Sequence, residues 1–398
     1  MALHERLAKM YKWMAAHGAD MAVFSDSEAK RDPSIRYFSG HPSDALLFLC
    51  ADGRSLLVPW DDELAKRMGT ADAVLPYTSF KLNAEDACAG ALEHFGLTCG
   101  ARIEFSAATP YPNFVSLVQR FSGYTLLCRK EGGIDQYVAA LRSVKDAGEI
   151  VLLKKAAAIT DEIAAAIEAG VRDGSLAAES DVALFIEAEC RRLGCEGTGF
   201  ATLAAGPERS FAIHAFPGYT GGGFGGRGIS ILDFGVVYNG YTSDITMSFV
   251  RGPLDAGQEK QIALVMDAYN LVLAVLGGEK PPAKIAALMK DTPLKNDGGK
   301  TGEKGFSARA VGCMVNLFFT EHGWTMPHGL GHGIGLEIHE APFLRARETN
   351  VDRLLPGSVF TVEPGLYAPA GGCRYENDIL LTKSGPETLT RSKIVRLG

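Results

Sequence analysis

The segment Ile229-Ser230-Ile231-Leu232-Asp233-Phe234-Gly235-Val236-Val237-Tyr238-Asn239-Gly240-Tyr241-Thr242-Ser243-Asp244-Ile245-Thr246 reads as two strands joined by a two-residue turn. Asn239-Gly240 is a preferred pair for the type I′ turn, whose twist matches that of the strands it connects. With that turn, Tyr238 faces Tyr241, and counting outward sets Asp233 opposite Thr246. Asp244 then lies on the same sheet face, a diagonal neighbour of Asp233, and such positions sit roughly 7–8 Å apart. Two facing carboxylates cost free energy unless a cation or a proton lies between them. Asp233 shares parity with Ile229 and Ile231, which turns it toward the apolar side of the sheet rather than toward solvent.

A second unusual stretch lies downstream, Pro327-His328-Gly329-Leu330-Gly331-His332-Gly333-Ile334-Gly335-Leu336-Glu337-Ile338-His339-Glu340. Three of the chain's nine histidines fall within it, among glycines too dense for a helix. Glycine permits close backbone approach, so the stretch reads as a strand-and-loop wall of a site. It is not the H-E-x-x-H zinc motif, because His339-Glu340 is followed by Ala341, Pro342 and Phe343. Two more acids complete the pattern: Glu363 ends an apolar strand beginning near Val359, and Glu376 precedes the strand Ile379 to Leu381. Oxygen ligands with one imidazole suit Mn²⁺, Co²⁺, Fe²⁺ or Zn²⁺, in a number sufficient for two ions.

The chain has 398 residues, 46% hydrophobic and 22% charged, which fits a soluble protein of two domains. A net charge of −7 gives no nucleic-acid footprint and no attraction to an anionic membrane. No apolar run reaches membrane-spanning length, and the N-terminus lacks a signal-peptide pattern. Eight scattered cysteines without a C-x-x-C pair fit reduced thiols in the cytoplasm.

The first lobe, residues 1–130, alternates helical and strand patterns. Leu3, Leu7, Met10 and Met14 have helical spacing before Gly18, Met21 to Phe24 reads as a strand, and Asp52-Gly53 marks a hairpin between Ala45–Cys50 and Ser55–Val58. Helices are expected at Asp61 to Met68 and Asn83 to His94, and another strand at Arg102 to Phe105. A linker is expected over 131–145, and the second lobe over 146–398. There, Leu152 to Ile167, Val182 to Leu193 and Ile262 to Leu276 carry amphipathic helical spacing. The glycine-rich run Gly218 to Gly228 is read as a flexible hairpin tip, with a mobile flap over the site as the alternative. Lys295 to Lys304 is a second polar, glycine-rich stretch to which no role is assigned.

Some patterns exclude themselves. Asp233-Phe234-Gly235 lacks the other kinase motifs, and the G-x-G-x-x-G formed by Gly221, Gly223 and Gly226 leads into a strand rather than a helix.

The ordered set Asp233, Asp244, His332, Glu363 and Glu376 resembles the metal-ligand set of the M24 "pita-bread" metallopeptidases, which include methionine aminopeptidase, Xaa-Pro aminopeptidase, prolidase and creatinase. The added first lobe is similar to that of the creatinase, prolidase and aminopeptidase P branch. The resemblance implies an α/β N-terminal lobe followed by an α+β catalytic domain with a curved antiparallel sheet and outer helices. It further implies two divalent metal ions, manganese before cobalt, iron or zinc. Asp233 would hold one ion, Asp244 and Glu376 would bridge both, and His332 and Glu363 would complete the other. Glu363 would act as general base on a metal-bridging hydroxide. His214, His328 and His339 match the histidines around the substrate, with His339 or His214 donating to the developing oxyanion. Arg374 matches a position supporting the site or the substrate. The implied activity is cleavage of the bond before proline, by an aminopeptidase P or prolidase type of enzyme acting as a cytoplasmic homodimer. The alternatives are a metal-dependent hydrolase or lyase of a small non-peptide compound, and a binding protein without catalysis. Tyr375-Glu376-Asn377-Asp378 departs from the commoner Ile-Glu-Asp of the family, which puts the substrate rather than the metal site in question.

Overall fold

The computed structural model describes residues 3–290, 292–296 and 305–398. Most of the stretch from Lys295 to Lys304 lies outside them. The chain divides into two compact units, Met1–Leu141 and Arg142–Gly398. The stretch expected as a linker contains a helix, Ile134–Arg142, and the division falls at its end.

In the first unit the strands are β1 (Met21–Asp26), β2 (Ala45–Cys50), β3 (Ser55–Pro59), β4 (Ala73–Val74), β5 (Arg102–Phe105) and β6 (Thr125–Cys128). They form one mixed sheet in the order β4-β3-β2-β1-β5-β6. The helices are α1 (Leu3–His17), α2 (Pro33–Ser39), α3 (Asp62–Met68), α4 (Ala84–Phe95), α5 (Tyr111–Arg120) and α6 (Ile134–Arg142). Asn83 caps α4 with its side chain on the Glu85 and Asp86 amides, which is why the helix starts there. Ala87, Ala91, Leu92 and Phe95 of α4 pack with Met21, Phe48, Val58 and Ile103 of the sheet.

The second unit opens with α7 (Ala147–Asp173), held at its start by a reciprocal capping box between Asp146 and Glu149. Then come α8 (Glu179–Arg192), β7 (Gly197–Thr198), β8 (Leu203–Ala205), β9 (Gly228–Phe234), β10 (Val236–Tyr238), β11 (Tyr241–Thr242), β12 (Ile245–Arg251) and α9 (Ala256–Leu276). They are followed by α10 (Ala283–Leu288), β13 (Lys295–Asn296), β14 (Gly305–Ser307), α11 (Ala308–Glu321), β15 (His332–Gly333), β16 (Glu340–Phe343), β17 (Arg353–Leu354) and β18 (Val359–Val362). The last elements are β19 (Gly365–Ala368), β20 (Gly371–Arg374), β21 (Glu376–Thr382), β22 (Gly385–Thr388) and β23 (Ile394–Leu397). The main sheet runs β16-β15-β18-β21-β12-β9-β8, with β22 against β21 and β23 against β12. Its pairs are antiparallel except β12 with β23. It is the curved sheet with outer helices expected from the resemblance.

Side-chain alternation sorts the faces. Leu232 and Phe234 of β9, with Ile245, Met247 and Phe249 of β12, pack with α7 and α8. Phe360 and Val362 of β18, with Ile379 and Leu381 of β21, join the core that holds α9 and α11. Asp233, Thr246 and Glu376 have the opposite parity, so they share the other face of the sheet.

Candidate metal and catalytic centre

The hairpin register is the one the turn demands. Tyr238 pairs with Tyr241 and Asp233 with Thr246, around Asn239 (φ 47°) and Gly240 (φ 83°). The strands break in the middle, however: β10 and β11 join a separate small sheet with β7. The break falls where Gly235 crosses Ser243 so closely that a Cβ would stand 1.8 Å from the Ser243 carbonyl oxygen. Asp244 therefore sits just before β12 rather than within a regular strand, with its amide donating to Asp378 Oδ2 at 3.0 Å. Thr246 pairs in turn with Glu376 on β21, so Asp233, Thr246 and Glu376 form a row across three strands.

The glycine-rich wall supplies His332 at the start of β15. Gly331 lies so close to β18 that a Cβ there would be 2.0 Å from the Thr361 carbonyl oxygen. Glu363 follows β18, with its amide donating to the Leu330 carbonyl at 2.9 Å. His332 Nδ1 lies 3.2 Å from the Gly333 carbonyl oxygen, which only accepts, so Nδ1 carries the proton. The lone pair of Nε2 is left facing Asp244 Oδ2 at 3.7 Å and Glu363 Oε1 at 3.6 Å. An imidazole lone pair aimed at two carboxylates is unfavourable until a cation or a proton stands between them.

The electrostatics lead to the same need. Burial lifts the Asp233 and Asp244 carboxyls above the usual range, and for Asp244 the neighbouring Glu376 and Asp233 add to the rise. Glu363 is raised well above its ordinary value by burial and then by Glu376. Burial, followed by the charge of Asp233, brings Glu376 up to about 8. Burial pushes His332 down to about 3 and His328 down to about 4. Asp233 Oδ1 and Asp244 Oδ1 are buried without a hydrogen-bond partner. Ligand atoms of Asp244, His332 and Glu376 lie within 4.8 Å of one another. Four carboxylates, a neutral imidazole and two orphaned oxygens fit divalent cations.

Arg374 supports this cluster. Its Nη2 is 2.5 Å from Asp233 Oδ2, its Nε donates to the Thr246 hydroxyl at 3.0 Å, and its Nη1 donates to Tyr367 Oη at 2.7 Å and to the Ile213 carbonyl at 3.0 Å. Thr246 passes the chain on, donating to Glu376 Oε2 at 2.6 Å. The three other histidines differ among themselves. His328 donates through Nδ1 to the Gly329 carbonyl at 2.8 Å and accepts from Tyr367 Oη at 3.2 Å, so both its ring nitrogens are engaged. His339 is exposed, its ring 4.2 Å from that of His332. His214 is exposed, and its charge bears on Asp233, His328 and His339.

Several residues of this centre carried no clear sequence signal. Asp378 is buried, pushed well above its ordinary value by burial, and binds the Asp244 amide. Its place two residues after Glu376 on one strand was the available clue. Arg345 is exposed and close enough that its charge lowers His339 and His332 and offsets the rise of Glu363. With His328, Leu330, Leu344 and Arg347 it lines a cavity of about 470 Å³.

The run Gly218 to Gly228 is not the hairpin tip expected. The amides of Glu179 and Ser180 donate to the Gly222 and Thr220 carbonyls, and the Phe224 amide to that of Ala177, so the run is laced to the start of α8, and Phe224 is buried.

A curved antiparallel sheet with outer helices, carrying clustered carboxylates and a neutral histidine on one face, defines a metal-binding hydrolase centre. Residues 151–383 match the model of metallopeptidase family M24, and residues 6–127 match the creatinase/prolidase N-terminal domain. The chain belongs to metallopeptidase family M24. It is 27% identical over 397 residues to the Xaa-Pro dipeptidase of Pyrococcus furiosus, covering 98% of this chain and 99% of that one. It is 25% identical over 397 residues to the Xaa-Pro dipeptidase of Pyrococcus horikoshii, covering 98% of each chain. Among solved structures, an Xaa-Pro dipeptidase from Bacillus anthracis superposes with a TM-score of 0.79 at 24% identity, covering 99% of this chain and 100% of that one. The X-Pro aminopeptidase of Thermotoga maritima does so with 0.77 at 24%, covering 97% and 99%. Among the described residues no helix is long and apolar enough to cross a membrane.

Proposed function

We propose that this chain is an Xaa-Pro peptidase of the dipeptidase type, using two divalent metal ions held by Asp233, Asp244, His332, Glu363 and Glu376. The observation that carries the reading is the pair of carboxylates, Asp244 and Glu363, facing the lone pair of His332 Nε2, with one oxygen each of Asp233 and Asp244 buried without a partner. Cations bound there would supply Lewis acidity, lowering the pKa of water and polarising the scissile carbonyl.

The protein's own groups do the rest. Asp233 and Glu363 keep side-chain exposures of 17% and 19%, so both remain open to substrate and water. Glu363, whose side chain keeps 19% exposure at the edge of the cluster, takes the proton from the attacking water. His339 and His214, exposed beside the cluster, donate hydrogen bonds to the oxygen that gains charge. Arg374 holds Asp233 and Thr246 in place. His328, with both nitrogens engaged, braces Tyr367 and the wall. Arg345 has no carboxylate partner among the described residues and lies at the site, so it is suited to the free carboxylate of a dipeptide. The names of the full-length Pyrococcus relatives support the same class. A cytoplasmic homodimer belongs to this reading, the compartment resting on free cysteines and the dimer on the family resemblance.

The test is hydrolysis after stripping metal and restoring Mn²⁺, Co²⁺, Fe²⁺ or Zn²⁺, with Ala-Pro, Met-Pro, a longer X-Pro peptide, a Met-Ala peptide and creatine as substrates. Metal-dependent cleavage confined to X-Pro bonds, fastest for dipeptides, is the expected result. Two bound metals with no X-Pro cleavage would overturn the assignment.

A further inference from the structure

His214 stands on a segment, 211–217, that belongs to no helix or strand. The side chain that fastens this segment is not part of the carboxylate cluster. Glu179, the first residue of α8, is 1% exposed. Its Oε1 accepts from the Gly206 amide at 2.7 Å, and its Oε2 from the amide and hydroxyl of Thr220, each at 2.7 Å. Oε2 also pairs with the guanidinium of Arg209 through Nη1. The other terminal nitrogen of Arg209 donates to the carbonyls of Ala215 and Pro217.

Ala215 has φ +40°, a left-handed conformation that a residue with a Cβ adopts at a cost. The local sequence would not choose it, so tertiary contacts must hold it. On the other flank of His214, Arg374 Nη1 donates to the Ile213 carbonyl at 3.0 Å. The carbonyls on either side of His214 are thus each held by an arginine, and one of these two arginines is Arg209.

We propose that Arg209, oriented by the buried Glu179, is a positioning residue that fixes the direction of the His214 imidazole during catalysis. This rests on the role given to His214 above. Only a guanidinium meets the requirement, since its planar fork reaches one carboxylate and two carbonyls together. An ammonium keeps the charge beside Glu179 and loses the fork.

The experiment uses the Mn²⁺-loaded protein and Ala-Pro, with Arg209→Lys, His214→Ala and the double variant. Arg209→Lys retains the ion pair with Glu179 and is expected to fold. It should lower kcat roughly tenfold with KM within about twofold, because displacing a reacting group by a fraction of an ångström acts on the chemical step. Added to His214→Ala, it should cost less than about twofold more, because its effect passes through the imidazole. Glu179→Gln should follow the same pattern by a smaller factor. An equal loss of kcat from Arg209→Lys with and without His214 would overturn the proposal, as would a lowered melting temperature with kcat unchanged. If His214→Ala loses no activity, the role of His214 itself fails, and this proposal with it.

Discussion

Stripping the metal should make stability fall as pH rises, through Glu376 above all. Its carboxyl goes from an ordinary 4.5 to about 8 in the fold. Between those values the folded chain holds a proton that the unfolded chain has released, so the group stabilises the metal-free fold at low pH and loses that contribution as pH rises through 8. At 1.36 kcal/mol per pH unit the full loss is roughly 5 kcal/mol, of which about a third falls between pH 6.5 and 8. Asp244, Glu363 and Asp378 are shifted in the same direction and steepen the trend. His328 and His332, held neutral by burial, act in the opposite direction from about pH 4 and about pH 3 up to pH 6.5, so within this window they oppose the trend only at its lower end. A domain of this size loses about 2–4 °C per kcal/mol. The melting temperature of EDTA-treated protein should therefore drop about 3–6 °C over that window on account of Glu376. Glu376→Gln should remove that share of the slope, and saturating Mn²⁺ should flatten it in the parent chain. A flat or rising metal-free profile, or an identical slope in Glu376→Gln, would refute the reasoning.

Four further outcomes follow from the surroundings of single residues. Thr246→Val removes the hydroxyl between Arg374 and Glu376, so Mn²⁺ affinity measured by calorimetry should fall about 10–100-fold, as for other groups that orient ligands. Arg345→Leu should raise KM roughly tenfold for Ala-Pro, the value of a charge-assisted hydrogen bond, while leaving the KM for Ala-Pro amide within about twofold. Gly331→Ala drives a methyl into the Thr361 carbonyl and should cost about 1–3 kcal/mol along with metal binding. Gly221→Ala, where nothing lies within 4 Å, should leave the melting temperature unchanged.

Sequence alone determined the hairpin register and with it the placement of Asp233 opposite Thr246, because an Asn-Gly turn sets pairing locally and strand parity does the rest. It also supplied the types and order of the chemical groups, including three histidines spaced among glycines. Tertiary structure decided what those local rules do not reach. The hairpin divides between two sheets where Gly235 passes the Ser243 carbonyl, because β10 finds β7 as its partner while β9 and β12 find β8 and β21 elsewhere in the chain. The proton on His332 is assigned by a carbonyl beside it, and the lift of Glu376 needs burial and a neighbouring charge brought in from another strand. Arg345, Asp378 and the Glu179–Arg209 pair reach their roles through contacts between segments far apart in the chain. Their side chains are ordinary surface types in sequence, and only the folded neighbourhood gives them a partner. The glycine run after Gly218 is the clearest case: composition reads as flexibility, while its carbonyls and amides find partners at the start of α8. Backbone groups that are unpaired in a linear reading must be paired somewhere in the fold, and where they are paired is a tertiary matter.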